Sequence, residues 1–577
     1  MAKENKIDVV TMAIINNSLG SIIDEMDLTI VRTTTSLSQR DHYDFLCSLA
    51  TIEGEVLAEG EETVMHANLC DPVIHEWVKV HGIESIHPGD MLCLNDPFSG
   101  ASHFPDLTII HPIFHDGKLI AWVGSGGHLM DVGGSVAGSC SCGARECWEE
   151  GLRIPTCKIY DAGVRNDAFF TILAANSRLQ EGIIDQLETF LAACRMGERR
   201  FSELVQKYGW ETLEMYLNEL LDYAERRAID DIKALPNGVY EFEDFMDDDG
   251  FGSDPIRFHV KVTIHEDTMT YDFAGSAPQM KAGMNNPWAT TKALVYTAFR
   301  SLIGLDIPKN GGPLRALKVT APEGTVVNPV LPAATGARGV TVARIYETIS
   351  GAHAQIAPDK IPACGEGINT MAVLTGYDEQ NDFYLLVDLP WAAWGGRSFA
   401  DGEQLAPPYY NSILTPAEVN EVYCPLMIRR RGFVPDSEGA GKYRGGFAIV
   451  TDYEMLTDGT TLQLRTDRRK IPNYGLHGGQ PGSLGKMTLN PDGENRDLPK
   501  TVLPLKKGDV FRARVGGAGG WGNPLERDVE KVLDDVQSGL VSVKRARKVY
   551  GVVIKETTME VDVNETQKLR KAMKGNG

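Results

Sequence analysis

Residues 95–134 read NDPFSGASHFPDLTIIHPIFHDGKLIAWVGSGGHLMDVGG, and the metal-capable side chains there sit in turns rather than on apolar faces. His103 and Asp106 lie three apart around Pro105, whose ring fixes the backbone angle and forces a turn. Such a turn aims an imidazole and a carboxylate at one point. Two apolar runs follow, LTIIHPIF and LIAWVG, joined by the turn residues HDGK, which is the signal of a β-hairpin. Pairing of those runs returns the chain to Gly126-Gly127-His128, beside the place where the His103–Asp106 turn began. Two imidazoles and one carboxylate leave room for water on a divalent ion, the open arrangement of hydrolytic metal sites. The competing reading is that these are ordinary hydrogen-bonded members of the 13 histidines, as His111 and His115 in or beside the hairpin are taken to be.

Other stretches carry weaker chemistry. Cys140, Cys142 and Cys147, with Cys157 close behind, suggest a soft-metal site, yet C-x-C-x4-C lacks the paired C-x2-C knuckles of zinc sites, so reduced structural thiols are expected. The acidic run EDFMDDDGFGSD (241–254) lacks the spacing of a calcium loop and reads as a solvated turn. RTDRRKIPNYGLHGGQPG (465–482), with three arginines and the glycine-flanked His477, is either an anion-binding loop or a salt-bridged turn. GGAGGWGNP (516–524) has no lysine to hold phosphates and no P-loop pattern. No G-x-G-x-x-G stands between a strand and a helix, and no G-x-S-x-G elbow occurs, so any use of ATP falls to another chain.

The elements that must position these groups alternate in kind. Residues 7–31 place Met12, Ile15, Leu19, Ile22, Ile23 and Met26 on one helical face. Residues 44–135 are strand-and-turn territory. Residues 166–234 predict two or three amphipathic helices, broken near Tyr208-Gly209. Strands dominate from 236 to 525, interrupted by one helix over about 288–303, and a helical tail follows that ends in a frayed, charged KLRKAMKGNG. The expectation is a multi-domain α+β chain rich in antiparallel sheet. Its parts are an N-terminal metal-site region (1–165), a helical segment (166–235), a β-rich middle (236–420), a glycine-rich β region (421–525) and a helical tail (526–577). Trp288, Trp391 and Trp394 stand in apolar loops, where they serve either a core or a partner interface.

Composition limits the class. A chain of 577 residues exceeds one ordinary core. With 42% hydrophobic and 24% charged residues it has the balance of a soluble protein. Its 79 acids against 57 Lys and Arg, a formal charge of −22, argue against nucleic-acid and anionic-membrane partners. MAKENKIDVV has no apolar run after its lysines, and no stretch approaches the roughly 20 residues needed to span a bilayer. A cytoplasmic location with reduced cysteines is expected.

The blocks DHYDFLCSLATIEGEVLAE (41–59), NDPFSGASHFPD, GGHLMDVGG, EEGLRIPTCKIY (149–160) and GMNNPWATTKALVYTAFRSLIG (283–304) occur in that order. They are followed by YRGGFAIVTDYEML, RRKIPNYGLHGGQPG and GGAGGWGNPLERDVEKVLDDVQSGLVSVKRARKVYGVVI. The series resembles the B-type subunits of the hydantoinase/oxoprolinase family over about residues 7–554, and that superfamily includes subunits of acetone and acetophenone carboxylases. The resemblance implies one divalent metal, zinc slightly ahead of manganese or iron, held by the aspartate of a D-F-S-C motif, an H-x-P-D pair and a later histidine. On this chain those are Asp44, His103, Asp106 and His128; spacing alone does not separate Asp44 from Asp41. Asp131, three beyond His128, is the candidate to orient an imidazole or a water. The implied activity is ATP-dependent opening of a cyclic amide such as a hydantoin, oxoproline or lactam. An A-type ATP-binding partner subunit would phosphorylate the amide oxygen, and a water activated by the metal would attack here. A ketone carboxylase subunit and a non-catalytic subunit with a structural metal are the alternatives. Three departures from the family pattern, Leu46 for a serine, Leu129 for a second histidine and the Cys140–Cys147 insert, point to a substrate other than the family's commonest.

Overall fold

Strands in the first 165 residues carry apolar side chains on both faces, because the sheet they form is covered on both sides. The computed structural model describes residues 7–367, 369–390, 393–406 and 414–575. The chain divides into two units, Met1–Glu241 with Val260–Arg338, and Phe242–His259 with Gly339–Gly577.

The first unit begins with helices α1 (Val9–Thr33) and α2 (Leu37–Arg40), then β1 (Phe45–Ala50), β2 (Val56–Glu59), α3 (Cys70–His81) and β3 (Met91–Leu94). The hairpin β4 (Asp106–His115) and β5 (Lys118–His128) follows, then β6 (Cys157–Asp161) and β7 (Val164–Arg165). Helices α4 (Asp167–Asn176), α5 (Gln180–Tyr208) and α6 (Trp210–Ala234) come next. Asp8 caps α1, its carboxylate accepting the Thr11 N–H at 2.9 Å. The hairpin turns on Asp116 and Gly117, both with positive φ, as a two-residue turn matched to strand twist requires. Helix α5 ends where Gly209 takes φ 76°, at the predicted break.

The seven strands form an antiparallel sheet in the order β2-β1-β5-β4-β3-β6-β7. Period-two alternation sorts its side chains. Phe45, Cys47, Leu49, Leu107, Ile109, Ala121 and Val123 join Ile15, Ile23 and Met26 of α1 and Leu187, Phe190 and Leu191 of α5 in one core. Leu46, Ala50, Leu92, Leu94, Ile110 and Trp122 face the other way, onto Cys70, Val73, Ile74 and Trp77 of α3. Both faces buried means near-continuous apolar runs, as LTIIHPIF shows.

The rest of this unit holds most of a second antiparallel sheet. Strands β8 (Gly238–Met246) and β9 (Ile256–His265) carry the chain into the second unit and back, and β10 (Thr268–Asp272), helix α7 (Trp288–Arg300) and β11 (Leu317–Thr320) follow. Strand β11 pairs in parallel with β10 at the sheet's edge.

The second unit opens with α8 (Gly339–Ile356), an 18-residue helix that the sequence reading placed among strands. Its residues are buried from Gly339 to Ala354, so no polar stripe marks it, and its β-branched residues read as strand. Two antiparallel sheets complete the unit: β12 (Met371–Tyr377), β13 (Phe383–Asp388), β16 (Thr460–Arg465) and β19 (Thr501–Leu505), and β14 (Leu426–Phe433), β15 (Ile449–Met455), β17 (Lys486–Leu489), β18 (Arg496–Asp497) and β20 (Val510–Arg514). A short helix α9 (Ala417–Tyr423) precedes β14. The tail holds α10 (Val529–Gln537), α11 (Val543–Tyr550), the pair β21 (Ile554–Lys555) and β22 (Glu560–Val561), and α12 (Val563–Gly575). The charged end is therefore helical rather than frayed, and Arg570 anchors it by donating to the Arg527 and Tyr550 carbonyls at 2.8 and 3.0 Å. The glycines near 517–520 serve close backbone packing. A Cβ at Gly519 would stand 2.1 Å from the Tyr474 carbonyl oxygen.

Two sequence features of this unit satisfy each other. Asp244 and Asp247, expected in a solvated acidic turn, are buried. Asp244 accepts from Arg344 at 2.8 Å and from Arg468 at 2.5 and 3.0 Å, while Asp247 accepts the backbone N–H groups of Arg469, Lys470 and Ile471. Arg465 donates to Asn369, and Arg469 pairs with Asp497. Arg468 and Arg469 of the arginine-rich stretch are thus salt-bridged, to Asp244 and Asp497. Trp288 and Trp394 are half-buried, and Trp391 lies outside the described residues. Among the described residues no helix is long and apolar enough to cross a membrane.

Gly127 shows how tightly the first sheet is built: a Cβ there would lie 2.3 Å from the Asp44 carbonyl oxygen and 2.6 Å from Phe45 Cα. These are backbone atoms, so the strand must move. Gly127→Ala is expected to lower stability by about 1–3 kcal/mol, seen as a lower denaturation midpoint in urea.

Candidate metal centre

Register places the two ends of the hairpin side by side. Asp106 opens β4 and is paired with His128, which closes β5. The preceding turn, closed by the Asp106 N–H on the His103 carbonyl at 2.9 Å, swings His103 onto the same point. His103 Nε2 lies 2.8 Å from Asp106 Oδ1 and 3.1 Å from His128 Nδ1, and His128 Nδ1 lies 3.2 Å from Asp106 Oδ1. Asp106 and His128 share strand parity with Ile110 and Trp122, so they project on the α3 side of the sheet.

Hydrogen bonding fixes what these atoms offer. His103 Nδ1 faces the Gly336 carbonyl at 2.9 Å, and a carbonyl only accepts, so the ring proton is assigned to Nδ1. Burial, with the Arg338 charge, pushes the His103 pKa down to about 4, against the pull of Asp106, so the ring is neutral at pH 7. Its Nε2 lone pair then points at a carboxylate. Burial would raise Asp106, but His103, Arg338 and His66 overcome it and hold the carboxyl well below its ordinary range. Arg338 binds Asp106 Oδ2 and Ser102 Oγ, leaving Oδ1 to the imidazoles. These three side chains can hold a metal ion: their ligand atoms lie within 4.8 Å of one another.

The Gly336 carbonyl is itself held. Glu150, buried, accepts the N–H of Thr335 at 2.8 Å and of Gly336 at 2.6 Å. Burial pushes the Glu150 carboxyl up to about 8, and those two donors offset only part of that. A chain Glu150–Gly336–His103 thereby orients the imidazole, the arrangement that raises ligand basicity in metal sites.

Asp44 stands beside the triad just before β1, where its backbone carbonyl accepts the His128 N–H at 2.9 Å. Its Oδ1 lies 3.3 Å from His66 Nε2, and His66 Nδ1 lies 3.7 Å from Asp106 Oδ2. Burial works against the charge on Asp44, but His66 and His128 bring its pKa below the usual value. Asp41 is turned to Arg40 at 2.9 Å. His66, in a turn just before α3, was missed in the sequence; nothing in EETVMHANLC marks it, and only tertiary packing brings it to Asp44 and Asp106. Arg338, 232 residues from Asp106, was missed for the same reason.

Asp131 is placed differently from expectation. Its buried carboxylate accepts from Gly138 N at 3.0 Å, Arg178 N at 2.6 Å and Arg178 Nη1 at 2.9 Å, so it holds the loop after β5 and not an imidazole. Leu129 points into the α1/α5 core with no exposed surface, so that substitution changes packing on the far side of the sheet from the triad. Cys140, Cys142 and Cys147 are buried, and burial pushes Cys147 up to about 11. His111 Nδ1 meets the Asp90 carbonyl at 2.7 Å.

A cleft opens beside Asp106, lined by His66, Ser102, Asp106, Thr290, Lys292 and Tyr296 among others. Thr290 on α7 donates to Ser102 at 3.1 Å, tying that helix to the Arg338–Asp106 pair.

Asp106→Asn keeps the shape but loses the anion that holds a divalent cation; it is expected to lose bound metal while retaining native circular dichroism. Asp44→Asn is expected to behave likewise, and Asp41→Asn to keep its metal, all read by elemental analysis. In Glu150→Gln a side-chain NH2 must face a backbone N–H donor. Metal affinity is expected to fall about 10–100-fold by competition with a chelator, with Glu150→Asp intermediate.

The hydantoinase B/oxoprolinase family model matches residues 8–524. The B-type subunit of a D-/L-hydantoinase from Pseudomonas sp. (strain NS671) is 32% identical over 593 residues, covering 98% of each chain. 5-Oxoprolinase 1 of Arabidopsis thaliana is 28% identical, over 90% of this chain but 42% of its own length. The crystal structure of the ATP-dependent caprolactamase from Pseudomonas jessenii superposes with a TM-score of 0.92 at 27% identity, over 98% of this chain and 100% of that one. A nucleotide-free acetone carboxylase gives 0.89 at 19% identity, over 98% of this chain and 83% of that one, a likeness of fold. The chain therefore belongs to the hydantoinase B/oxoprolinase family.

Proposed function

We propose that this chain is the metal-holding subunit of an ATP-dependent cyclic-amide hydrolase, acting on a carbonyl that a partner subunit activates by phosphorylation. The observation that carries the proposal is the convergence of His103 Nε2, His128 Nδ1 and Asp106 Oδ1, with Asp106 also lining a neighbouring cleft. A cleft at the site favours chemistry over a structural staple, which would be closed by protein on all sides.

His103, Asp106 and His128, with Asp44 completing the set, hold the ion; two nitrogens and two carboxylate oxygens suit zinc, manganese or iron. When bound, such an ion supplies a Lewis acid and lowers the pKa of water from 15.7 towards ~7. Arg338 keeps the Asp106 carboxylate ionised and aimed. His66 lines the cleft with Nε2 on Asp44 Oδ1, so it can take a proton from an attacking water and share it with that carboxylate. Asp131 acts at a distance, by holding the loop that leaves His128.

Support for a partner comes from the relatives. The chain matches the whole of some of them but only 42% of 5-oxoprolinase 1, whose remaining length is joined to the same kind of chain in one polypeptide. The caprolactamase relative is itself named as a beta subunit. The absence of a P-loop or dinucleotide motif from this sequence fits ATP handling by an A-type partner.

The isolated chain is expected to contain about one divalent metal and to hydrolyse no ATP; mixed with its partner it should open a cyclic amide at the expense of ATP. ATP turnover by this chain alone, or absence of metal after purification without chelators, would refute the reading. Bicarbonate-dependent consumption of a ketone in place of ring opening would move the pair to the carboxylase class.

A further inference from the structure

Lys292 is the feature of the cleft that the metal chemistry leaves unused. It lies on α7 one turn before Tyr296, and both line the cleft with His66, Ser102 and Asp106. It is half-buried, and no carboxylate among the described residues pairs with it. The neighbouring cation, Arg338, is committed to Asp106 and Ser102. Two acids share the cleft: Asp106, bound to Arg338, and Asp71, 2.9 Å from His75 Nδ1.

We infer that the cleft takes a substrate bearing an anionic group, with Lys292 as the residue that positions it. The inference rests on the proposed cyclic-amide reading and narrows it. A neutral lactam would leave the ammonium without a counter-charge in a half-buried wall, whereas a carboxylate or phosphoryl group supplies a charge-assisted hydrogen bond there. Caprolactam carries no such group and 5-oxoproline does, so this residue separates activities named among the relatives. A phosphoryl group placed on the amide oxygen by a partner is the second source of the same chemistry.

The test is calorimetric titration of the full metal-loaded chain with 5-oxoproline, with 2-pyrrolidinone, which is the same ring without the carboxylate, and with inorganic phosphate. Wild type, Lys292→Met and Lys292→Arg are compared, with thermal midpoints confirming the fold. The expected result is 5-oxoproline binding at least about tenfold tighter than 2-pyrrolidinone, a preference that Lys292→Met abolishes and Lys292→Arg largely keeps. Equal lactam binding with Lys292-dependent phosphate binding would also support the site and identify the phosphoryl group as its ligand. Anion binding unchanged in a folded Lys292→Met would overturn the inference. Because these are binding readouts, Lys292-dependent binding without ring opening in the assembled pair would sink the hydrolase reading and leave the anion site standing.

Discussion

Asp106 is an ionised carboxylate that is almost wholly removed from water, and such a group is tolerated only if its charge is compensated in place. Taking an ion into the interior costs several kcal/mol, and the attraction of its partners must offset this with good geometry. Here one oxygen is given to Arg338 and the other to the imidazoles. That division sets much of the surrounding structure. Arg338 must be delivered from a distant loop, the loop must be held by Glu150, and His103 must turn its protonated nitrogen outward to Gly336. What remains at the centre is three side chains whose ligand-capable atoms lie within 4.8 Å of one another, a spacing that suits a cation.

The sheet supplies the precision. Three glycines on β5 at 124, 126 and 127 admit neighbours that any Cβ would strike, including Cys70 Sγ of α3 and the backbone at Asp44. Strand β5 can therefore lie close to β1 and to the start of α3 at once. Parity then decides chemistry from packing: position 128 faces the α3 side beside Asp106 while position 129 enters the core. The departure from the family pattern at Leu129 thus alters the core, and Leu46, packed against α3, fills its place with hydrocarbon.

The second unit handles buried charge in another way. Asp244 pairs with Arg344 and Arg468, with Asp247 stitched to the backbone of 469–471. A closed network of this kind specifies how strands and helix α8 fit together and offers nothing to a ligand. The site in the first unit differs because its ligand-capable atoms converge and a cleft reaches Asp106.

Local pattern determined the helices with one polar face, α1 and α4 to α7, the β4–β5 hairpin, and the trio His103, Asp106 and His128, because a turn, a hairpin and strand pairing are properties of neighbouring residues. The family resemblance points to Asp44 over Asp41, which spacing does not separate. Tertiary structure alone decided the rest. Helix α8 is buried all round and so shows no period to read. His66 and Arg338 reach the site from segments with no marking of their own. Asp131 was read as an orienting group from its nearness to His128 in sequence, yet folding gave its carboxylate to Arg178 and Gly138 and gave the orienting task to the Gly336 carbonyl. Charges pair through space, and a sequence records only where each begins.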